Sequence, residues 1–143
     1  MKITITIEMD ERDLEMTEAK ETEKVDGEYI NASIYARFFN ESCVGWSKDA
    51  EKNISFLKLQ QQYANELLKA KGHLFLNEVY DMLGMARSKA GQVVGWIYNP
   101  DNPIGDNYVD FDIFADHNED FVNGYERTAL LDFNVDGNIL EHV

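Results

Sequence analysis

Residues near the C-terminus have a spacing that suits a calcium-binding loop. Asp132, Asn134, Asp136 and Gly137 match positions 1, 3, 5 and 6 of an EF-hand loop, in which alternating oxygen ligands and a glycine wrap the ion. Position 12 of that loop requires a bidentate glutamate, whereas this chain has Val143 there. Asp136-Gly137 is also a strong hairpin-turn signal, and the hairpin is the preferred interpretation. We therefore predict no metal site, and Asp132, Asn134 and Asp136 are the candidate ligands if an ion is bound.

A second group of carboxylates alternates with hydrophobic residues along a predicted strand. Asp110 and Asp112 alternate with Val109, Phe111 and Ile113, so the two carboxylates share one face. Residues two apart on a strand are about 6.5 Å apart, which is too far for two carboxylates to share one ion without further ligands. A solvated acidic edge is favoured, and Asp110 and Asp112 are kept as further candidate metal ligands.

The residue types that catalyse covalent or acid–base reactions are not joined by any motif. The chain has one cysteine, Cys43, and three histidines, His73, His117 and His142. A nucleophile needs a base beside it, and the spacing of these four residues indicates no such pair. We predict no catalytic residue, no cofactor-binding residue and no cofactor, and the protein is not expected to be an enzyme. A divalent-metal-dependent hydrolase that uses the acids of residues 106–120 stays an open alternative.

Residues 76–95 have some features of a DNA-binding helix-turn-helix. Arg87 and Lys89 would face phosphates in that motif. Against it, Tyr80 occupies a position that usually needs a small residue, and Gly91 lies within the would-be recognition helix, at a cost of about 1 kcal/mol. Two short structural helices are favoured, and direct nucleic-acid binding is not predicted.

The charge of the chain is large, negative and unevenly distributed. The 143 residues include 27 Asp and Glu against 13 Lys and Arg, a net charge of −14. Residues 8–28 carry a net −7, residues 99–143 a net −10, and residues 29–98 a net +2. Binding to a nucleic-acid backbone depends on clustered positive charge, so that function is disfavoured. The acidic surface can simply keep the protein soluble, or it can engage a basic partner or imitate nucleic acid towards a protein that binds it.

Hydrophobic patterning predicts an α+β fold in one domain of residues 1–143. The clearest helix spans residues 47–71, with Ser47 as its N-cap and Gly72 just beyond its end. A mainly antiparallel sheet is expected to pack against this helix and to include a C-terminal β-hairpin and a strand at 108–114. The other predicted elements are strands at 3–7, 29–39 and 73–76, a weak helix at 13–24 inside an exposed and mobile acidic segment at 8–28, short helices at 77–84, 88–94 and 118–125, and a loop at 98–107.

The hydrophobic residues of these elements divide into faces that should be buried. We expect three faces in the core: one helix stripe (Ile54, Leu57, Ala64, Leu68), an adjacent helix stripe (Phe56, Leu59, Tyr63, Leu67, Ala70) and the inner face of the hairpin (Leu131, Phe133, Val135, Leu140). We expect Trp46 and Trp96 to lie in the core or at its rim.

No part of the chain has the pattern of a membrane span or a signal peptide. The longest uncharged stretch, residues 90–100, is about half of the roughly 20 residues that a spanning helix needs. The N-terminus turns acidic after a few residues instead of continuing into an apolar region. We expect no membrane span and no secretion through a recognisable signal.

Several runs of residues together resemble an uncharacterised family of proteins encoded by phages and prophages of Gram-positive bacteria. The resemblance covers about residues 30–143, and its most distinctive parts are the Leu-Asn-Glu-Val-Tyr-Asp run at 76–81 and Gly95-Trp96. The full matching runs are 56–57, 63–72, 72–84, 88–96, 102–111, 121–127 and 131–140. The resemblance implies a phage or prophage origin, in the host cytoplasm or associated with the virion. It implies no activity, because the family has no assigned site residues.

These observations favour a protein that works by binding another protein. The partner is unidentified, and self-association stays open. The first alternative is an acidic, nucleic-acid-mimicking inhibitor of a host nucleic-acid-binding or defence protein, and the second is the metal-dependent enzyme.

Overall fold

The structure is a computed structural model that describes residues 3–6, 20–25 and 28–143, with their side chains from Ala32 onward. Helices and antiparallel strands are both present, which confirms the α+β fold class. The elements in chain order are β1 (Ile3–Thr6), β2 (Lys20–Val25), β3 (Glu28–Ser33), β4 (Arg37–Phe39), α1 (Ala50–Lys71), β5 (His73–Phe75), α2 (Leu76–Met82), β6 (Val94–Ile97), α3 (Glu119–Val122), β7 (Ala129–Leu131) and β8 (Gly137–Asn138). Short 3₁₀ helices span Ala90–Gln92, Asp116–Asn118 and Leu140–His142. The single-domain organisation stays a prediction.

The strands form small antiparallel sheets, with the orders β1-β2-β3, β4-β7 and β5-β6-β8. The strands predicted at 3–7 and 73–76 are confirmed as β1 and β5, and the one predicted at 29–39 is present as β3 and β4, which are separated by a turn. Strand β2 replaces the end of the helix predicted at 13–24. The rest of that helix, and much of the segment expected to be mobile, lies outside the described residues.

Helix α1 confirms the clearest sequence prediction, although its first residue differs. Asp49 is the N-cap, because its Oδ1 accepts the backbone N–H of Glu51 at 2.9 Å. Ser47, the predicted N-cap, instead pairs with the side chain of Asn53: the Ser47 N–H donates to Asn53 Oδ1 and Asn53 Nδ2 donates to the Ser47 carbonyl, both at 2.8 Å. Gly72 ends the helix in the left-handed conformation, with φ of 82°, as expected.

The two predicted stripes of α1 differ in burial. Leu57, Ala64 and Leu68 are buried, as predicted. The adjacent stripe is only partly covered: Leu59 is 61% exposed and Tyr63 is 49% exposed, so their predicted burial is wrong. The described elements pack on the Leu57 side of the helix and leave the outer side open to solvent.

Residues 108–114 show the predicted alternation of buried side chains, but the strand pairing predicted for them is wrong. Val109 and Phe111 are buried, but this segment joins no sheet among the described residues. Side-chain amides of α1 take the place of a neighbouring strand: Val109 N–H donates to Asn65 Oδ1 at 2.7 Å and Phe111 N–H donates to Gln61 Oε1 at 2.8 Å. Asn65 Nδ2 also donates to the Val109 carbonyl, at 3.0 Å. These bonds satisfy backbone groups that would otherwise be buried without partners.

Strands β5 and β6 form an antiparallel pair in the C-terminal half of the chain. The turn at Asp136-Gly137, however, does not join two strands that pair with each other. Strand β7 pairs with β4, and β8 pairs with β6, which corrects the position predicted for the hairpin. The Asp136 N–H donates to the Gly95 carbonyl at 2.8 Å, which draws the turn onto β6. Leu140, predicted to lie on the inner face, is 50% exposed in a 3₁₀ turn.

The helix-turn-helix alternative is wrong. Helix α2 is followed by a 3₁₀ turn and then by β6, so residues 76–97 contain no second α-helix that could enter a groove. Arg87 forms two hydrogen bonds with Asp81, at 2.9 and 2.6 Å, and this contact lowers the pKa of Asp81. Tyr80 is fully buried, and its hydroxyl donates to the Tyr35 carbonyl at 2.8 Å. It is therefore a core residue.

The core assignments of the two tryptophans are confirmed: Trp96 is fully buried and Trp46 is half-buried. None of the helices within the described residues is long and apolar enough to cross a membrane.

Candidate functional site: an acidic cleft

The carboxylates at 132–136 lie on one face because the chain is extended and its side chains alternate. Phe133 and Val135 are buried, as predicted, which turns Asp132, Asn134 and Asp136 to the opposite face. The three candidate calcium ligands are therefore on one side of the segment.

Asn134 is the centre of a hydrogen-bond network beneath this face. Its Oδ1 accepts from Trp96 Nε1 at 2.9 Å and from the Asp110 N–H at 2.7 Å. Its Nδ2 donates to Asp106 Oδ2 at 3.1 Å and to the Tyr108 carbonyl at 3.0 Å. An asparagine side chain has two donors and one acceptor oxygen with two lone pairs, so Asn134 has no capacity left for an ion. It fixes residues 106–110 against β6.

The two aspartates on either side are also bound to protein groups. Asp132 accepts from Ser33 with both oxygens, from the hydroxyl at 2.8 Å and from the N–H at 3.2 Å. Asp136 Oδ2 accepts from the Ile97 N–H at 2.8 Å. The Gly105 backbone packs so closely on Asp136 Oδ1 that an added Cβ would overlap this oxygen. These contacts link the 132–136 segment to β3, β6 and the 98–107 loop.

Asp110 and Asp112 are placed by a local turn. Asp112 has φ of 58°, in the left-handed region that few non-glycine residues adopt. Its N–H donates to Asp110 Oδ1 at 2.8 Å. Within the part of the chain that the structure describes, the Asp112 carboxylate itself accepts no hydrogen bond.

Together these residues line a cleft of about 360 Å³. We call it the acidic cleft, and its lining residues are Ser33, Asp106, Asp110, Asp112, Asp132, Phe133, Asn134 and Val135. Four of these eight are aspartates, and none of the lining residues with described side chains is a lysine or arginine. The structure thus brings the Asp110/Asp112 pair and the Asp132/Asn134 pair, which are separate in the sequence, to one concave surface.

Burial, more than the crowding of like charges, changes the titration of two aspartates in this region. Burial raises the pKa of Asp112, and the neighbouring carboxylates of Asp110 and Asp132 raise it further, while His117 opposes them. Burial also raises the pKa of Asp136, and the hydrogen bond from the Ile97 N–H opposes that shift. The charged form of Asp112, which lines the cleft, is therefore disfavoured in the free protein, and a cation in the cleft would stabilise it.

Replacing Asp112 with asparagine should stabilise the protein at neutral pH. A carboxyl whose pKa is raised on folding contributes most to stability below its unfolded pKa, and the contribution declines as pH rises through the folded value. Asp112→Asn removes the charge and suits the positive φ, so the free energy of unfolding at pH 7 should rise by about 0.5 kcal/mol after allowance for solvent screening. Urea unfolding at pH 7 and pH 3.5 measures this, and the gain should shrink at the lower pH.

The exposed Asp120 is the matched control, and Asp120→Asn should not give a gain in unfolding free energy at pH 7 that shrinks at pH 3.5. A lower stability of Asp112→Asn at pH 7 would show that burial and the neighbouring carboxylates do not disfavour the charged Asp112 side chain.

The structure places the candidate metal ligands and the candidate catalytic residues in different surroundings. Across residues 32–143, no group of three or more His, Cys, Asp or Glu side chains is arranged to hold a metal ion. Cys43 is buried, with its Sγ 3.8 Å from the Phe38 carbonyl. His73 stacks edge-on with Phe75, and His117 Nε2 lies 3.0 Å from the Leu130 carbonyl. The cysteine and these histidines thus contact other groups and do not form a nucleophile–base pair.

Two residues that line the cleft, Ser33 and Asp106, are not among the candidate metal ligands predicted from the sequence. Asp106 follows the proline-containing loop, and the sequence marks it only as one of the acids of residues 106–120. Ser33 is 99 residues from its partner Asp132, and no local pattern marks such a pairing. In the sequence, the high density of Asp and Glu after residue 99 is the signal that points to this cleft.

Fold and site together define a small acidic α+β protein with a carboxylate-lined cleft. The chain matches the model of a family described as "Family of unknown function (DUF6353)" over residues 3–143, and it belongs to that family. The match begins well before residue 30, so it includes the acidic N-terminal region. No curated protein matches the chain, and no solved structure matches it.

Proposed function

We propose that this protein is not an enzyme and acts by binding a protein partner, whose lysine or arginine side chains enter the acidic cleft. The observation that carries this proposal is the convergence of Asp106, Asp110, Asp112 and Asp132 on one cleft, whose lining between residues 32 and 143 includes no basic residue. Its volume of about 360 Å³ suits one or two long side chains.

The contacts within the cleft favour an organic cation over a metal ion. Asp132 already accepts two hydrogen bonds from Ser33, and Asp106 accepts one from Asn134. A guanidinium or ammonium group needs one oxygen from each of several carboxylates, at hydrogen-bond distance, and does not need a closed shell of oxygen ligands. The carboxylates of Asp110 and Asp112 are the ones best placed to bind it.

The rest of the chain supports the same partner. A net charge of −14 attracts a basic molecule over long range and speeds its association. A phage or prophage origin, and a location in the host cytoplasm or on the virion, remain part of this proposal and rest on the family resemblance.

Peptide binding tests the proposal directly. A fluorescein-labelled peptide of alternating arginine and glycine is titrated with the protein, and its anisotropy is followed at 20 and 150 mM salt. The control peptide has citrulline in place of each arginine, which keeps the shape and removes the charge. We expect binding of the arginine peptide that weakens with salt, and no binding of the citrulline peptide. Equal binding of both peptides, or no binding at low salt, would contradict the proposal.

Mimicry of nucleic acid is the second candidate, and the same acidic character favours it. The two candidate functions differ in one outcome. If the protein mimics nucleic acid, added DNA or RNA should displace the captured partner. A partner that stays bound in the presence of excess duplex DNA indicates simple recognition of a basic segment.

A further inference from the structure

We infer that this chain forms a dimer in which helix α1 of one copy packs antiparallel against helix α1 of a second copy, about a twofold axis at Leu59. The contact uses the outer face of α1, which is defined by Lys52, Leu59, Tyr63 and Glu66. This face is separate from the acidic cleft, and the inference goes beyond the proposed function.

The centre of the outer face is hydrophobic and exposed. Leu59 is 61% exposed and Tyr63 is 49% exposed, and they line a shallow groove of about 360 Å³ with Gln60, Gln62 and Glu66. Large hydrophobic side chains grouped on one exposed helix face are typical of a surface that binds another protein. Because they project from a helix that is already formed, covering them orders no backbone.

The two ends of the outer face carry opposite charges at equal distances from Leu59. Lys52 lies seven residues before Leu59, and Glu66 lies seven residues after it. Seven residues span about 10.5 Å along the helix axis and rotate by only about 20° beyond two full turns. Both side chains are exposed, and neither forms an ion pair among residues 32–143, although Gln62 donates a hydrogen bond to Glu66. Lys52, Leu59 and Glu66 therefore form one line along α1, positive at one end and negative at the other.

This line of residues is complementary to itself. When a second copy is turned by 180° about an axis through Leu59, its helix runs in the opposite direction and its Glu66 comes opposite Lys52 of the first copy. The converse pair forms at the other end, so one interface contains two ion pairs on either side of two adjoining leucines. The rotation of about 20° per seven residues suits the crossing angle of about 20° at which helices pack along their length. The charges of the outer face therefore specify a second copy of this chain as its partner.

Helix α1 is also where two copies of this acidic chain can approach with least repulsion. It contains four lysines and two glutamates, a net +2, whereas the whole chain carries −14. A contact through residues 99–143, which carry most of the negative charge, would instead bring like charges together. The distribution of charge thus favours α1 over the acidic surfaces as the interface between copies.

Dimerisation through the outer face leaves both acidic clefts open. Gln61 and Asn65 hold residues 109–111, which contribute to the cleft. At 100° per residue, these two side chains lie roughly 160° around α1 from Leu59 and Tyr63. A dimer therefore presents two clefts, and a partner with two basic segments would gain affinity by binding both.

Sedimentation equilibrium of the full chain tests the dimer, at about 150 mM salt so that the net charge of each copy is screened. The average mass should rise with concentration towards two chains and no further, because a twofold contact closes. Leu59→Asp should weaken association at least tenfold, because it places two carboxylates at the axis. Leu140→Asp is the matched control: Leu140 is 50% exposed and lies outside α1, so this variant should dimerise like the unmodified chain.

Exchange of the two end charges tests the antiparallel pairing. Lys52→Glu and Glu66→Lys should each weaken the dimer about fivefold, because each change turns both ion pairs into pairs of like charge. The double variant Lys52→Glu/Glu66→Lys restores both pairs with reversed signs, so its dissociation constant should lie within about twofold of that of the unmodified chain. Both changes also suit the helix dipole, and circular dichroism confirms that the variants fold.

The outcomes separate this inference from the proposed function. A chain that stays monomeric at millimolar concentration overturns the dimer and leaves the outer face to a different protein. Equal association of Leu59→Asp and Leu140→Asp overturns it too, because another interface must then be responsible. A double variant that does not recover overturns the pairing about Leu59. Whatever these results, the function of the cleft is tested by the arginine peptide, which Leu59→Asp should still bind.

Discussion

Replacing Asn134 with leucine is expected to lower the free energy of unfolding by about 3–4 kcal/mol. The change removes four hydrogen bonds and leaves the indole N–H of Trp96 and the backbone N–H of Asp110 without their acceptor. Each buried group that loses its partner costs about 1–3 kcal/mol. A loss of this size is a large fraction of the roughly 5–15 kcal/mol that typically stabilises a domain. Urea unfolding followed by tryptophan fluorescence measures it.

Two further variants give this prediction its control. Asn123 is exposed, and Asn123→Leu should change the unfolding free energy by less than about 0.5 kcal/mol. Asn134→Asp keeps the acceptor oxygens but loses both donated bonds and adds a charge beside Asp106, so its cost should fall as pH is lowered. If Asn134→Leu and Asn123→Leu were equally stable, Asn134 would not hold the cleft together.

Neutralising two carboxylates of the cleft is expected to weaken binding of the arginine peptide about 100-fold. Asp110→Asn/Asp112→Asn keeps the size of both side chains, and the amide oxygen introduced at position 110 can still accept the backbone N–H of residue 112, so the local turn is retained. Hydrogen bonds to charged groups contribute about 1.5–3 kcal/mol, and about 1.4 kcal/mol corresponds to a factor of ten. Fluorescence anisotropy at 20 mM salt measures the dissociation constant.

The matched control removes the same charge elsewhere. Glu119 and Asp120 are exposed in α3, and Glu119→Gln/Asp120→Asn should change the dissociation constant by no more than about threefold. Equal losses in the two variants would show that net charge, and not the cleft, governs binding. Since Asp112→Asn is also expected to stabilise the fold, a variant that is more stable and binds less would indicate that the destabilising, partly buried carboxylate is retained for recognition.

Sequence reasoning was accurate where a structure is determined by neighbouring residues. Helix α1 follows from the spacing of Leu57, Ala64 and Leu68 and from the left-handed Gly72. Its N-cap was misplaced by two residues, because Ser47 is engaged by Asn53 further along the chain.

The errors occur where distant residues decide the pairing. Residues 108–114 alternate as a strand does, but their backbone bonds go to Gln61, Asn65 and Asn134 instead of to another strand. Asp136-Gly137 has the composition of a hairpin turn, but Asp136 bonds with Gly95 and Ile97 of β6. The acidity of residues 99–143 indicates an acidic surface, but no sequence pattern indicates that the cleft is assembled around Asn134. Side-chain amides that replace a neighbouring strand leave no periodic pattern in the sequence.

The binding of a basic segment in the acidic cleft is tested most directly by titrating ¹⁵N-labelled protein with the arginine peptide and recording amide chemical shifts. The proposal predicts that the largest shifts fall on residues 106–112 and 132–136 and are absent with the citrulline peptide. A second surface cavity is lined by Asn40, Trp46 and Arg127, among other residues. Shifts centred on that cavity instead, or no shifts at low salt, would contradict the proposal.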